Sequence, residues 1–350
     1  MKIVFSAGGT GGHIYPALTL AKYLKDKGHK ILFIGSNSRM EKDVIPNEGF
    51  EFIGLDMAIP KGNVFKKFIS LISLFNAYIK CKKLVKGYDC AIGFGNYISL
   101  PVIFAARKLG LKTIIHEQNS FAGKANLLLD EKVDYVIGSY DSNTSQFKNK
   151  NTYIYGNPQS YKAKLEKIDT NCIAELGLDP TKKTVLMFMG SQGSESVNKI
   201  LDDFFIKSDG SYQIIYACGK QNLEMMKNNK YGNHIKVLES VDGTKFIKNC
   251  DLVVARAGAT TVCELIACGS ASILIPSPFV PENHQFYNAK VLSDVGGALL
   301  LEEKNLNSNI LDSTIKGIIN NDESLNKMKE SAFSLYKDNT LENIVKVILK

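Results

Sequence analysis

At 350 residues the chain exceeds the roughly 250 to 300 residues that one hydrophobic core usually serves, so two domains are expected. Lys and Arg number 43 against 35 Asp and Glu, but the excess is one-sided: residues 1–157 hold 21 basic and 12 acidic side chains, residues 158–350 hold 22 and 23. The first half is therefore the side expected to meet an anionic partner. Seven cysteines without CxxC spacing exclude a disulfide scaffold and read as reduced, buried thiols of a cytosolic protein. No run of about 18 uncharged apolar residues is present, which excludes a membrane-spanning helix, and Met1-Lys2 leads into a strand without the apolar stretch of a signal peptide.

Short apolar runs alternate with helical patterns along the chain, the rhythm of a parallel sheet wrapped by helices. Strands are predicted at 2–6, 30–35, 51–55, 90–94, 112–116 and 134–138, with helices near 15–27, 38–48, 64–86, 99–109 and 122–130. After the turn-rich Tyr155-Gly156-Asn157-Pro158 the rhythm restarts. Strands follow at 184–189, 212–217, 235–238, 252–255 and 272–275, and helices near 194–207, 220–228, 260–268 and 284–295. The expectation is an α/β protein of two Rossmann-like, doubly wound domains, 1–157 and 158–335, with a last helix in 336–350.

Three glycine-rich turns join a strand to a helix. Gly8-Gly9-Thr10-Gly11-Gly12-His13 follows the first strand, clears side chains from the helix N-terminus and places an imidazole beside it, so it offers both backbone N–H groups and a proton acceptor. Gly190-Ser191-Gln192-Gly193-Ser194 reads as a phosphate cradle, in which backbone donors and hydroxyls face the helix dipole. Arg256-Ala257-Gly258-Ala259-Thr260-Thr261 leads into a helix carrying Glu264, a carboxylate able to accept both hydroxyls of a ribose. His116-Glu117-Gln118-Asn119 ends a strand on the side where doubly wound sheets bind ligands, and Pro281-Glu282-Asn283-His284-Gln285 presents amides before another helix.

A nicotinamide dinucleotide site is not expected. The first turn breaks the G-x-G-x-x-G spacing, and the second strand ends in Gly35-Ser36-Asn37-Ser38 without the ribose-binding acid. Neither a D-x-D pair nor a His or Cys pair at ligand spacing is present, so the protein itself is expected to bind no metal and no cofactor, leaving free magnesium as the only allowance.

Residues 61–86 carry Lys61, Lys66, Lys67, Lys80, Lys82, Lys83 and Lys86 without one acid, around an apolar centre. Positions 64, 65, 68, 71, 72, 75 and 79 form one stripe, and 69, 74 and 78 widen it beyond a core face. Such a helix suits an anionic membrane surface, where each nearby Lys contributes about 1 kcal/mol. Nucleic acid is not the expected partner, because apolar side chains separate the lysines.

Taken together, residues 8–13 with Pro16-Ala17-Leu18, residues 93–101, residues 116–119 with Ala122-Gly123, Gly156-Asn157-Pro158, residues 190–193, residues 256–264 and His284-Gln285 with Asn288-Ala289 resemble the MurG family of bacterial B-type glycosyltransferases. The resemblance implies two Rossmann-like domains facing across a cleft, with the last helix returning to the first. It implies inverting transfer of N-acetylglucosamine from UDP-N-acetylglucosamine to the C4 hydroxyl of undecaprenyl-pyrophosphoryl-N-acetylmuramyl-peptide, at the cytoplasmic face of the membrane.

By that resemblance the donor side comprises Thr10, Gly11, Gly12, Asn119, Gly190, Ser191, Gln192, Gly193, Ser240, Arg256, Gly258, Ala259, Thr260, Glu264 and Gln285. The acceptor side comprises Gly95, Asn96, Tyr97 and His116. Phe68, Leu71, Ile72, Phe75, Lys66 and Lys67 are the expected membrane contacts. His13 is the expected general base and His116 the second candidate. The chain departs from the family pattern at Gln159-Ser160, where an Arg is common, at Met189, where Gly is usual, and at His284. Its nearest alternatives are another B-type transferase, a UDP-N-acetylglucosamine epimerase, or a non-catalytic lipid-binding module.

Overall fold

The computed structural model describes residues 1–57, 64–169, 171–190, 193–227 and 231–350, and the backbone alone at 64–68. The chain divides into two compact units, Met1–Tyr161 together with Lys337–Lys350, and Lys162–Tyr336.

The first unit holds β1 (Lys2–Ser6), β2 (Lys30–Ser36), β3 (Glu51–Leu55), β4 (Cys90–Gly93), β5 (Lys112–Glu117), β6 (Tyr135–Gly138) and β7 (Thr152–Ile154) in the order β3-β2-β1-β4-β5-β6-β7. Every pairing is parallel. Alternation along β1 shows why its apolar run is continuous: Ile3 and Phe5 join one core layer and Val4 the other, so both faces of the sheet are covered. The helix Thr340–Leu349 belongs to the first of these layers, where Leu341, Ile344 and Ile348 pack with Leu20 and Leu24. The unit also extends past Asn157 to Tyr161, whose ring packs edge-on against Tyr23.

In the second unit β8 (Thr184–Phe188), β9 (Gln213–Ala217), β10 (Ile235–Leu238), β11 (Leu252–Ala255), β12 (Ser272–Leu274) and β13 (Ala298–Leu300) lie in the order β10-β9-β8-β11-β12-β13, again all parallel. Each sheet reverses direction once, between β1 and β4 and between β8 and β11. In such sheets the carboxyl ends at the reversal form the ligand crevice. Ser6 stands opposite Gly93 and Phe188 opposite Ala255, so the turns that follow those strands meet at the two reversals.

A strand and two helices late in the second unit are among the elements not predicted from the chain's periodicity. Strand β13 is only three residues long and Leu299 on it is exposed, so it carries no alternation to read. The helices Ser308–Ile319 and Asp322–Phe333 do carry a signal, since Asn307 accepts from the Ile310 N–H and Asn321 from the Ser324 N–H as N-caps. The helix Gly11–Asp26 starts before the predicted residue 15, because extended Thr10 acts as its N-cap and its carbonyl accepts from the His13 and Ile14 N–H groups. The glycines and His13 therefore occupy the first helical turn.

The helix Val64–Leu84 buries a different face from the strongest apolar stripe. Ser70, Ala77 and Cys81 are buried, with Leu74 and Tyr78 packed against that core, whereas Leu71, Ile72, Phe75 and Ile79 remain exposed. Leu71, Ile72, Leu74, Phe75 and Tyr78, together with Pro101, Phe104, Arg107 and Lys108, line an open groove of about 880 Å³. Among the described residues no helix is long and apolar enough to cross a membrane.

Candidate functional site

At the first reversal, a buried carboxylate organises the glycine turn. Glu41 is fully buried and accepts from the Gly9 N–H at 3.1 Å and the Ser36 N–H at 3.0 Å. A Cβ at Gly8 would stand 2.3 Å from its Oε1, so glycine is the residue that lets the carboxylate reach the backbone. From the other side Asn96, in the left-handed region at φ 64°, donates its amide to the Gly8 carbonyl at 3.0 Å and accepts from the Tyr97 N–H. Glu41 carried no sequence signal because it lies a whole helix and strand away from the motif it supports. Sequence position alone did not connect them.

His13 is half-buried beneath Gly95, whose missing side chain would meet the ring at 3.3 Å. Its Nδ1 lies 2.8 Å from Gln118 Oε1. Gln118 Nε2 in turn lies 2.9 Å from His116 Nδ1 and 2.9 Å from the His116 carbonyl, and His116 Nε2 lies 3.1 Å from the Gly156 carbonyl. The two expected histidines are thus joined through one buried amide.

His116, the second candidate base, lies at the inner end of this chain of bonds. It is buried against Phe94, with ring centroids 5.3 Å apart, and burial lowers its pKa to about 4. Both of its ring nitrogens are bonded inside the protein, Nε2 to the Gly156 carbonyl and Nδ1 to the Gln118 amide. Glu117 beside it accepts four N–H bonds, from the Asn119 backbone and side chain at Oε1 and from Gly123 and Asn126 at Oε2. Asn119 is therefore turned toward Glu117 through its amide nitrogen. Thr10 is exposed, and Gly11, Gly12 and Tyr97 are half-buried around the same turn.

The second reversal lies in the other unit. After β8, Met189 is buried in the core cluster, which explains how the chain accommodates a large residue where glycine is usual in the family. Gly190 (φ 84°) is exposed, and a Cβ at Gly193 would stand 2.3 Å from the Cys218 carbonyl oxygen. Ser191 and Gln192, both expected donor contacts, lie outside the described residues.

Arg256, expected to shape a donor pocket, is 5% exposed and works as a clamp. Its Nη1 donates to the Ile275 and Pro276 carbonyls at 3.1 Å each, and its Nη2 to Ser194 Oγ at 2.8 Å and Glu303 Oε2 at 2.5 Å. Glu303 also accepts the Ser196 hydroxyl at 2.6 Å, so one ion pair fastens the helix Glu195–Lys207 to the ends of β11 and β12. Glu303 was not anticipated from sequence.

Beyond the clamp, Gly258 caps the helix Ala259–Cys268, and the Thr260 hydroxyl is buried with no partner among the described residues. Glu264 is buried one turn further on, 3.8 Å from where a Cβ of Gly243 would stand, and exposed Ser240 precedes the helix Gly243–Asn249. Glu264 thus lies beside the start of the helix that follows Ser240. Gln285 accepts from the Ser277 N–H at 2.9 Å, and Asn288 donates to the Ala257 carbonyl, so the helix His284–Asp294 docks on the Arg256 turn. Among the described residues no group of His, Cys, Asp and Glu has metal-binding geometry.

Residues 3–137 match the glycosyltransferase family 28 N-terminal domain and residues 184–348 the glycosyltransferase family 28 C-terminal domain. The UDP-N-acetylglucosamine--N-acetylmuramyl-(pentapeptide) pyrophosphoryl-undecaprenol N-acetylglucosamine transferase of Halothermothrix orenii is 36% identical over 370 residues, covering 99% of this chain and 98% of its own. The protein of the same description in Listeria monocytogenes is 35% identical over 362 residues, covering 100% of this chain and 99% of its own. Among solved structures, MurG of Acinetobacter baumannii superposes with a TM-score of 0.77 at 26% identity over 99% of both chains. Two parallel-sheet units, each with its glycine turn at the reversal, matches to both the N-terminal and the C-terminal domain of one family, and full-length relatives at 35–36% identity lead to the same result: the chain belongs to glycosyltransferase family 28.

Proposed function

We propose that this protein transfers N-acetylglucosamine from UDP-N-acetylglucosamine to a lipid-linked N-acetylmuramyl-peptide, with inversion at the anomeric carbon. The observation that carries this reading is the full-length likeness to relatives described by that reaction, together with two independent reversal sites of suitable chemistry. The donor is assigned to the second unit. Glu264 takes the ribose hydroxyls, the residues around Ser240 take the base, Gln285 takes the sugar, and the backbone N–H groups at 190–193 meet the charge that grows on the departing diphosphate. The acceptor is assigned to the first unit near Gly95, Asn96 and Tyr97. His13 takes the proton of the attacking hydroxyl, a task suited to an imidazole at neutral pH.

Incubation with radiolabelled UDP-N-acetylglucosamine and the lipid-linked acceptor should place label in the lipid phase. Release of N-acetylmannosamine would instead identify an epimerase, and no turnover would refute transfer.

The lipid on the acceptor gives the exposed apolar face of Val64–Leu84 a purpose. Leu71 and Phe75 are 62% and 61% exposed, on a helix whose last turn carries Lys82 and Lys83. This face is proposed to rest on an anionic membrane surface. Phe68, Lys66 and Lys67, the other expected contacts, have side chains outside the described residues. Replacing Leu71 and Phe75 together by Glu should abolish cosedimentation with vesicles containing phosphatidylglycerol. Undiminished sedimentation would return the helix to a purely structural part.

A further inference from the structure

We propose that Gln118 is a positioning residue that fixes the tautomer of His13, so that Nε2 is the atom that accepts the substrate proton. The inference rests on the reading of His13 as base and goes beyond it, since it assigns the atom and what sets it.

The argument begins at the far end of the chain of bonds. His116 Nε2 is 3.1 Å from the Gly156 carbonyl, an acceptor only, so Nε2 carries a hydrogen. The other end of Gln118 is fixed in the same way: the atom 2.9 Å from the His116 carbonyl must be the amide NH2, because an oxygen there would face an oxygen. That NH2 also reaches His116 Nδ1 at 2.9 Å, which must then be the unprotonated acceptor. His116 is therefore a neutral Nε2–H imidazole, as its complete burial requires.

With its nitrogen so engaged, Gln118 can turn only its carbonyl oxygen toward His13. An oxygen 2.8 Å from His13 Nδ1 selects the tautomer with hydrogen on Nδ1 and leaves the lone pair on Nε2. Gln118 is fully buried and cannot flip without placing its oxygen against the His116 carbonyl. The orientation is thus set by a main-chain carbonyl, a group that does not titrate. A carboxylate in this place would also hold Nδ1–H, but it would add a charge and raise the basicity of the ring. The neutral amide fixes the tautomer and leaves the charge of the ring unopposed.

The tautomers can be read directly from two-bond proton–nitrogen correlation spectra of the full-length protein with 15N-labelled histidine, recorded at about pH 8, above the ordinary imidazole pKa. His13 is expected as the Nδ1–H form and His116 as the Nε2–H form. An Nε2–H form of His13, or an even mixture, would overturn the proposal.

In Gln118→Leu the His13 signals should shift toward the mixture seen in free imidazole. The same variant should lose about 10-fold in kcat, the worth of one hydrogen bond, with KM for UDP-N-acetylglucosamine unchanged. Full kcat with the wild-type tautomer in that variant would also overturn it. If Gln118→Leu does not fold, Gln118→Asn, whose shorter amide cannot span both histidines, serves in its place. Because the spectra need no turnover, a wrong assignment of the base and a wrong assignment of the tautomer give different results.

Discussion

Replacing His13 with Ala should lower kcat/KM by at least about 10²-fold while leaving UDP affinity unchanged. The size follows from the task. An acceptor hydroxyl attacking the anomeric carbon becomes acidic only as the bond forms, and a positioned base typically supplies 10² to 10⁴ of rate. The selectivity follows from the fold, since His13 belongs to the first-unit turn braced by Glu41 and Asn96, whereas the diphosphate is assigned to the second unit. His13 is half-buried, with its Nδ1 bonded to Gln118, and is not among the buried residues of the core, so truncation should leave the fold intact. Steady-state kinetics with the lipid-linked acceptor and calorimetric titration with UDP make the comparison. Full turnover by the variant would remove His13 as base, and lost UDP affinity would show that the change acts through folding.

The sequence made the glycine turns legible because their function demands backbone without side chains at the end of a strand, and that demand is written in adjacent residues. The same holds for the two doubly wound sheets, whose buried strands read as unbroken apolar runs. What stayed hidden acts across the fold. Glu41 and Glu303 look like ordinary surface acids in the chain, and only the sheet order brings the first to Gly9 and the second to Arg256. His116 and Gln118 were visible as a polar cluster at a strand end, yet alternation on β5 and the turn after it decide which of them faces His13. The amphipathic helix shows the limit from the other direction: a hydrophobic stripe records that a face avoids water but not whether a protein core or a lipid covers it. In Val64–Leu84 the smaller Ser70, Ala77 and Cys81 went inward, because they allow close approach to Ser99–Lys108, while Leu71, Ile72, Phe75 and Ile79 stayed outside.

Arg256→Ala should destabilise the protein by about 3 to 5 kcal/mol, the largest stability effect expected of any substitution considered for this chain. Arg256 and Glu303 are both nearly dry, with side chains 6% and 13% exposed, and removing the guanidinium leaves a carboxylate in a poorly solvated position, bonded to the Ser196 hydroxyl without its countercharge. Two carbonyls, of Ile275 and Pro276, lose their donors at the same time. The double variant Arg256→Met with Glu303→Leu fills the space without a charge and should recover most of the lost stability, since the desolvation of both ions disappears together. Denaturant unfolding of the three proteins measures the difference.

The same series separates structure from donor contact. If Arg256 acts on the donor only by holding Ser194 and the cradle helix, the stable double variant should bind UDP more weakly by a modest factor, through a looser helix end. If the guanidinium itself touches the diphosphate, affinity should fall in the double variant as steeply as in Arg256→Ala. The saturated geometry argues for the first outcome: both Nη atoms are already committed to four acceptors inside the protein, and a group so fully used holds a site in shape without reaching into it.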